Sequence, residues 1–146
     1  MKLIQRDNYL NQLINVKDIP DIKVITGIRR SGKSKLMDRY HQILEEDPNN
    51  NIIHITLNKN EFSALKEGNA LYNYVTSHFN DKKNNYLLVD EIQLCHNFEN
   101  IIINLLEEEK YDIYLTGSNA FLLSSDLATL FGGRVFEIQV FPFSFY

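Results

Sequence analysis

Gly27-Ile28-Arg29-Arg30-Ser31-Gly32-Lys33-Ser34 decides how this chain is read. It has the form G-x-x-x-x-G-K-S, the pattern of a loop that cradles phosphate groups. Ile22-Lys23-Val24-Ile25-Thr26 precedes it, β-branched at alternate places and bounded by Pro20 and Gly27, and reads as a short buried strand. After it, Leu36, Met37, Tyr40, Ile43 and Leu44 recur at helical spacing. Strand, glycine loop and helix together are the context the motif requires.

The residue types follow from what a polyphosphate needs. Backbone N–H groups can surround its oxygens only where side chains leave room, and Gly27 and Gly32 provide that room and the unusual dihedrals. The open first turn of the next helix adds unpaired N–H groups and positive potential. Lys33 is expected to reach the β- and γ-phosphates, and the Ser34 hydroxyl to ligate Mg²⁺. Arg30, Ser31 and Lys35 complete the expected nucleotide-binding stretch. Arg29 and Arg30 read equally well as solvated arginines beside the site.

Outward from this loop, the chain alternates strands with helices. Tyr9, Leu10, Leu13, Ile14 and Val16 form a helical stripe, with Asp7 as its expected cap. Asp47-Pro48-Asn49-Asn50-Asn51 is a turn, followed by a second strand from Ile52 to Leu57. Asn58 to Gly68 reads as irregular, with one helical turn near Ser63–Glu67. A helix over Leu71–Phe79 follows. Tyr86-Leu87-Leu88-Val89 is a continuous apolar run, as in a parallel strand buried on both faces. A helix from Phe98 to Glu109 turns Ile101, Ile102, Leu105 and Leu106 inward. Ile113–Thr116 is a fourth strand, Ser124–Leu130 a short helix, and Val135–Val140 a last strand. Such alternation implies a parallel sheet with helices on both faces.

Composition narrows the class further. The 146 residues suffice for one domain with a real core. Hydrophobic residues are 44% and charged residues 23%, a globular balance. The net charge of −4 makes no demand for nucleic acid or an anionic membrane. No apolar run has the length of a signal peptide or a bilayer span. A lone cysteine, Cys95, cannot form an internal disulfide and suits a reducing cytoplasm. Cys95 and His96 have no second pair at zinc spacing, and His54, alternating with apolar neighbours, reads as structural.

A phosphate loop alone only binds. Hydrolysis also needs an acid near the metal and a group that orients water. Asp90 and Glu91, directly after the apolar strand, stand where open α/β sheets bind ligands. Asp90 is expected to hold Mg²⁺, largely through its waters, and Glu91 to act as general base. Thr116-Gly117-Ser118-Asn119 follows another strand end, and Ser118 or Asn119 there is in a position to meet the γ-phosphate or the water. Arg134, in Gly132-Gly133-Arg134, offers a cation for the transferring phosphoryl, in cis or from a neighbouring subunit. Asn58, Asn60 and Glu61 carry no comparable signal.

The phosphate loop, Leu-Val-Asp-Glu-Ile-Gln, Leu-Thr-Gly-Ser-Asn-Ala, Gly-Gly-Arg and Phe-Pro-Phe-Ser-Phe, in this order, resemble the AAA+-type ATPases of bacteria and archaea. The likeness is to the branch whose loop reads G-x-R-R-x-G-K-[ST], and it runs from about Arg6 to Phe145. It implies a three-layer α-β-α P-loop core with a five-stranded parallel sheet in order 5-1-4-3-2. By the same likeness Gly27, Gly32, Lys33 and Ser34 are the Walker A residues and Asp90 and Glu91 the Walker B pair. Ser118 or Asn119 is sensor 1, and Arg134 an arginine-finger candidate through which a homo-oligomer would act. Members of that branch continue into a helical lid and a further C-terminal domain. Residues 1–146 are therefore expected to be one AAA+-like core, the N-terminal part of a longer protein, without its lid. Phe141, Phe143, Phe145 and Tyr146 would pack against the missing part, or form an ordinary terminal strand.

The function these readings converge on is binding and hydrolysis of Mg²⁺–ATP by a cytoplasmic protein. Two alternatives stand beside it. A small-molecule kinase shares the loop, but adjacent Asp-Glu favours water as acceptor. A nucleotide-gated module would use hydrolysis only to reset a switch on a protein or DNA partner. A GTPase lacks support, since Asn58-Lys59-Asn60-Glu61 is only a near miss to the guanine-reading motif.

Overall fold

The computed structural model describes residues 2–27, 32–118, 131 and 133–140, and for residues 2–7 and 68 the backbone alone. The elements in order are α1 (Lys2–Asn15), β1 (Ile22–Thr26), α2 (Lys33–Glu45), β2 (Asn50–Thr56), a 3₁₀ helix (Asn60–Lys66) and α3 (Gly68–Ser77). Then come β3 (Asn84–Asp90), a 3₁₀ turn (Ile92–Leu94), α4 (Phe98–Glu107), β4 (Tyr111–Gly117) and β5 (Val135–Gln139). All five strands pair in parallel, in the order β2-β3-β4-β1-β5. This is the expected 5-1-4-3-2 sheet read from its other edge. The short helix expected at Ser124–Leu130 and the aromatic run from Phe141 to Tyr146 lie outside the described residues.

Strand alternation builds two cores, one on each face of the sheet. Val24, Ile53, Ile55, Leu87, Val89, Ile113 and Leu115 face α3 and α4, where Leu71, Val75, Ile102 and Leu105 meet them. Ile25, Tyr86, Leu88, Tyr114 and Ile138 face the other way, onto Leu10 and Leu13 of α1 and Leu36, Met37, Tyr40 and Leu44 of α2. The result is three layers, with the sheet buried on both sides. That burial on both faces explains why β3 reads as an unbroken apolar run.

Local expectations failed at a few places. α1 starts at Lys2, so Asp7 lies inside the helix and is not its cap. Ile14, expected on the buried stripe, is exposed at 38%. The segment read as mostly irregular is a seven-residue 3₁₀ helix. His54 is structural as expected. Its Nδ1 lies 2.7 Å from Nδ1 of His41, and burial, then His41, pushes its pKa down to about 4.

A buried polar network fastens the amino ends of the strands. Lys23 is wholly buried on β1, and its Nζ lies 2.5 Å from Asp112 Oδ1 on β4 while also donating to the Ile19 carbonyl. Asp112 Oδ2 accepts from the Asp18 amide at 2.8 Å and from the Tyr114 hydroxyl at 3.2 Å. Tyr40 on α2 donates to Tyr114 at 2.6 Å. Burial raises the Asp112 pKa above the usual carboxylate range even though Lys23 lowers it. Ion pairs buried in this way often add little net stability, because desolvation offsets the attraction. Breaking one half is another matter, because it strands a buried cation. Asp112→Ala is expected to cost about 3–5 kcal/mol in chemical denaturation. Lys23→Met with Asp112→Leu should recover most of it, and an Asp112→Ala cost no larger than that of an exposed control substitution would refute this account.

Candidate nucleotide-binding site

Parallel registration brings the strand ends together before any side chain is considered. Thr26 of β1 aligns with Gly117 of β4, and Thr56 of β2 with Asp90 of β3. The carboxyl ends of these strands therefore form one edge, and α2 rises from it. Gly27 is buried directly after β1. Gly32 sits just before α2 with φ of 93°, in the left-handed region. A Cβ there would meet nothing within 4 Å, so the demand for glycine comes from the dihedral and not from the space. The Gly32 carbonyl accepts from the Leu36 amide at 2.9 Å, which opens the helix. The amides of the first turn lack a carbonyl one turn back within the helix and remain donors for an anion.

Lys33, first residue of α2, is 4% exposed, and its Nζ lies 3.4 Å from Glu91 Oε2. A buried ammonium needs a counter-charge, and here the acid at the end of β3 supplies it. Asp90 is 1% exposed and accepts a hydrogen bond from the Thr116 hydroxyl, while the Ser34 hydroxyl nearby also favours its charged form. Its pKa is raised above the ordinary carboxylate range, chiefly by burial, with Glu91 adding to the effect and the hydroxyls opposing it. A carboxylate held by oxygen donors in a dry place matches a hard cation such as Mg²⁺, which takes few protein ligands. Among the described residues no group of three or more His, Cys, Asp or Glu gathers as a metal cage, Cys95 and His96 included.

Thr116 is the residue sequence reasoning missed. Its hydroxyl donates to Asp90 Oδ1 and accepts from the Glu91 amide at 2.9 Å. One side chain at the end of β4 thus fastens both acids at the end of β3. Glu91 is left-handed at φ 59°, an unfavourable conformation for a side chain other than glycine, held in place by that amide bond. The only signal in the sequence was a β-branched hydroxyl closing an apolar strand, and attention went to Ser118 and Asn119 instead. Gln93 was missed as well. Its Nε2 donates to Glu91 Oε1 at 2.7 Å.

Other expected residues fall differently. Ser118 is half-buried just past β4, on the phosphate edge. Lys35 is exposed on the first turn of α2. Arg30, Ser31 and Asn119 lie outside the described residues. Arg134 is on the opposite edge: its carbonyl accepts from the Ile22 amide at 2.9 Å, at the amino ends of β1 and β5. There it lines a groove of about 320 Å³ with Asp18, Lys110, Tyr111 and Asp112. A five-residue strand separates it from the phosphate edge, about 16 Å at ~3.3 Å per residue. Within one copy Arg134 thus lies apart from Lys33, Asp90 and Glu91.

The chain is similar to known proteins. An uncharacterized protein of Haemophilus influenzae is 39% identical over 146 residues, covering 98% of this chain and 36% of the relative. The chain spans about a third of the length of the curated relatives it matches, 36% and 32%. The crystal structure of Cdc6p from Pyrobaculum aerophilum superposes with a TM-score of 0.62 at 13% identity, over 90% of this chain and 44% of that one. AMPPCP-bound DnaA from Aquifex aeolicus gives 0.54 at 15% identity, over 90% and 43%. At such identities the structures speak for the fold alone. The model of an AAA domain matches residues 20–146, from the turn before β1 through both acids. The chain belongs to the AAA domain family.

Proposed function

We propose that this chain binds Mg²⁺–ATP and hydrolyses it to ADP and phosphate. The observation that carries the reading is the convergence of α2 on the end of β3, with Lys33 Nζ 3.4 Å from Glu91 Oε2 and the Ser34 hydroxyl close enough to Asp90 to favour its charged form. Two segments far apart in sequence meet where one binds polyphosphate and the other handles metal and water. The family membership and the nucleotide analogue bound by the DnaA relative in fold support the same reading.

Each residue then has a task. Gly27 and Gly32, with the amides of the loop and the first turn of α2, surround the β- and γ-phosphates, and Arg30, Ser31 and Lys35 flank them. Lys33 exchanges its contact with Glu91 for the phosphates, which frees the carboxylate. Ser34 and Asp90 would hold Mg²⁺, which when bound neutralises charge on the phosphate oxygens. Glu91 accepts a proton from water as the water oxygen bonds to the γ-phosphorus. The bond to the β–γ bridging oxygen breaks, and ADP leaves with that electron pair. Ser118 or Asn119 contacts the γ-phosphate or the water. Catalysis of this kind is mainly positioning and electrostatics.

A second reading draws on Arg134. Its place on the far edge favours a contribution to the phosphoryl from another copy, in a homo-oligomer. One chain alone would then bind nucleotide and turn it over slowly, serving as a nucleotide-gated module for a protein or DNA partner of the full-length, cytoplasmic protein. Calorimetric titration of the full-length protein with ATP and ADP, with and without Mg²⁺, alongside phosphate release, tests both readings. Micromolar, Mg²⁺-dependent ATP binding with release of free phosphate is expected. Absence of nucleotide binding would overturn both readings. A phosphate release rate per protein molecule that does not rise with protein concentration would remove the contribution of a second copy.

A further inference from the structure

The site contains one buried polar atom without a partner. Gln93 lies in the 3₁₀ turn after Glu91, and its amide is used at one end only. Nε2 donates to Glu91 Oε1 at 2.7 Å. Oε1 is buried and has no hydrogen-bond partner among the described residues. The orientation is dictated by chemistry, since a carboxylate only accepts and must face the NH₂ end. An orphaned buried carbonyl oxygen costs free energy, so its persistence calls for an explanation.

Glu91 accounts for only part of what an attacking water needs. A water that attacks phosphorus must point one lone pair at it and both protons away. One acceptor fixes one O–H; a second acceptor fixes the other. Glu91 Oε2 faces Lys33 at 3.4 Å, and Oε1 is held by Gln93. The short turn Ile92–Leu94 carries the Gln93 amide against the carboxylate, with its oxygen left over.

We propose that Gln93 is a positioning residue for hydrolysis: Nε2 fixes the Glu91 carboxylate, and Oε1 accepts the second O–H of the attacking water. The inference rests on the ATPase reading and on Glu91 as base. As the water attacks, its oxygen bonds to the γ-phosphorus and one proton passes to Glu91. The hydrogen on Gln93 Oε1 stays with the product phosphate. Gln93 neither gains nor loses a proton. In the resting state the same amide holds Glu91 against Lys33, so the acid is already aligned when the lysine moves to the phosphates.

The test uses Q93M and Q93E in the full-length protein, with ATP affinity by titration and hydrolysis in a single turnover. Methionine keeps the length of glutamine and removes donor and acceptor; glutamate keeps an acceptor and loses the donor. Q93M is expected to leave ATP affinity within a few-fold and the melting temperature near the parent value, whereas Q93E sets a second carboxylate beside Glu91 and weakens ATP binding. Both should slow the single-turnover step at least about tenfold. A merely structural role would move affinity or melting temperature together with rate in Q93M, and that result overturns the proposal. So does a parent rate in Q93M. Parallel E91Q protein separates this from the underlying reading. If E91Q is inactive while Q93M hydrolyses normally, only the role of Gln93 fails; if E91Q turns over at the parent rate, the base assignment fails first.

Discussion

Lys33→Ala protein is expected to lose ATP affinity by about 100-fold or more, the scale of about 3 kcal/mol for a charge-assisted contact in a dry site. The lysine is 4% exposed at the start of α2, and its contact with Glu91 is its one ion pair among the described residues. Removing it leaves Glu91 facing an anionic triphosphate with no cation between them, so repulsion adds to the lost attraction. Folding should survive, because Glu91 remains partly solvated and keeps the Gln93 donor. Titration calorimetry, with a melting curve as control, measures this. Affinity within a few-fold of the parent, in a folded protein, would show that the phosphates do not sit on this helix.

Glu91→Gln is expected to separate binding from chemistry. The substitution keeps shape and removes one negative charge next to the γ-phosphate, so ATP should bind as well as before or better. Hydrolysis should fall by about 10³-fold, within the range for loss of a positioned general base. The backbone at residue 91 is anchored by the Thr116 hydroxyl, not by the carboxylate, so its left-handed conformation persists in the variant. Single-turnover phosphate release against equilibrium ATP affinity provides the comparison. A variant with parent turnover would remove Glu91 from the role of base, and one that no longer binds ATP would show that the carboxylate serves the structure of the site.

The two predictions depend on different kinds of knowledge. The strand–loop–helix unit and the acids closing β3 were readable because their signals are local. A glycine, a lysine and a serine in succession, and an apolar strand ending in two acids, are patterns of neighbours along the chain. The parallel sheet was readable for the same reason, since hydrophobic period and turn chemistry repeat element by element. Thr116 was not readable as a site residue, because its importance comes from Asp90, 26 positions away. Lys23 looked like a polar residue in a short strand until Asp112 appeared beside it. Asp7 failed as a cap because where a helix begins depends on what the preceding residues can do, and these continued the helix to Lys2.

By itself, then, the order of residues determined the strand–loop–helix unit, the layering of the sheet and the pair of acids that closes β3. Local conformational preference and hydrophobic period are written in adjacent positions. Tertiary structure alone decided that Thr116 holds both acids, that Gln93 turns an unpartnered oxygen beside Glu91, and that Arg134 stands on the far edge of the sheet. Each of those depends on the register between strands remote in the chain. Packing of helices against both faces sets that register, and no local pattern encodes it.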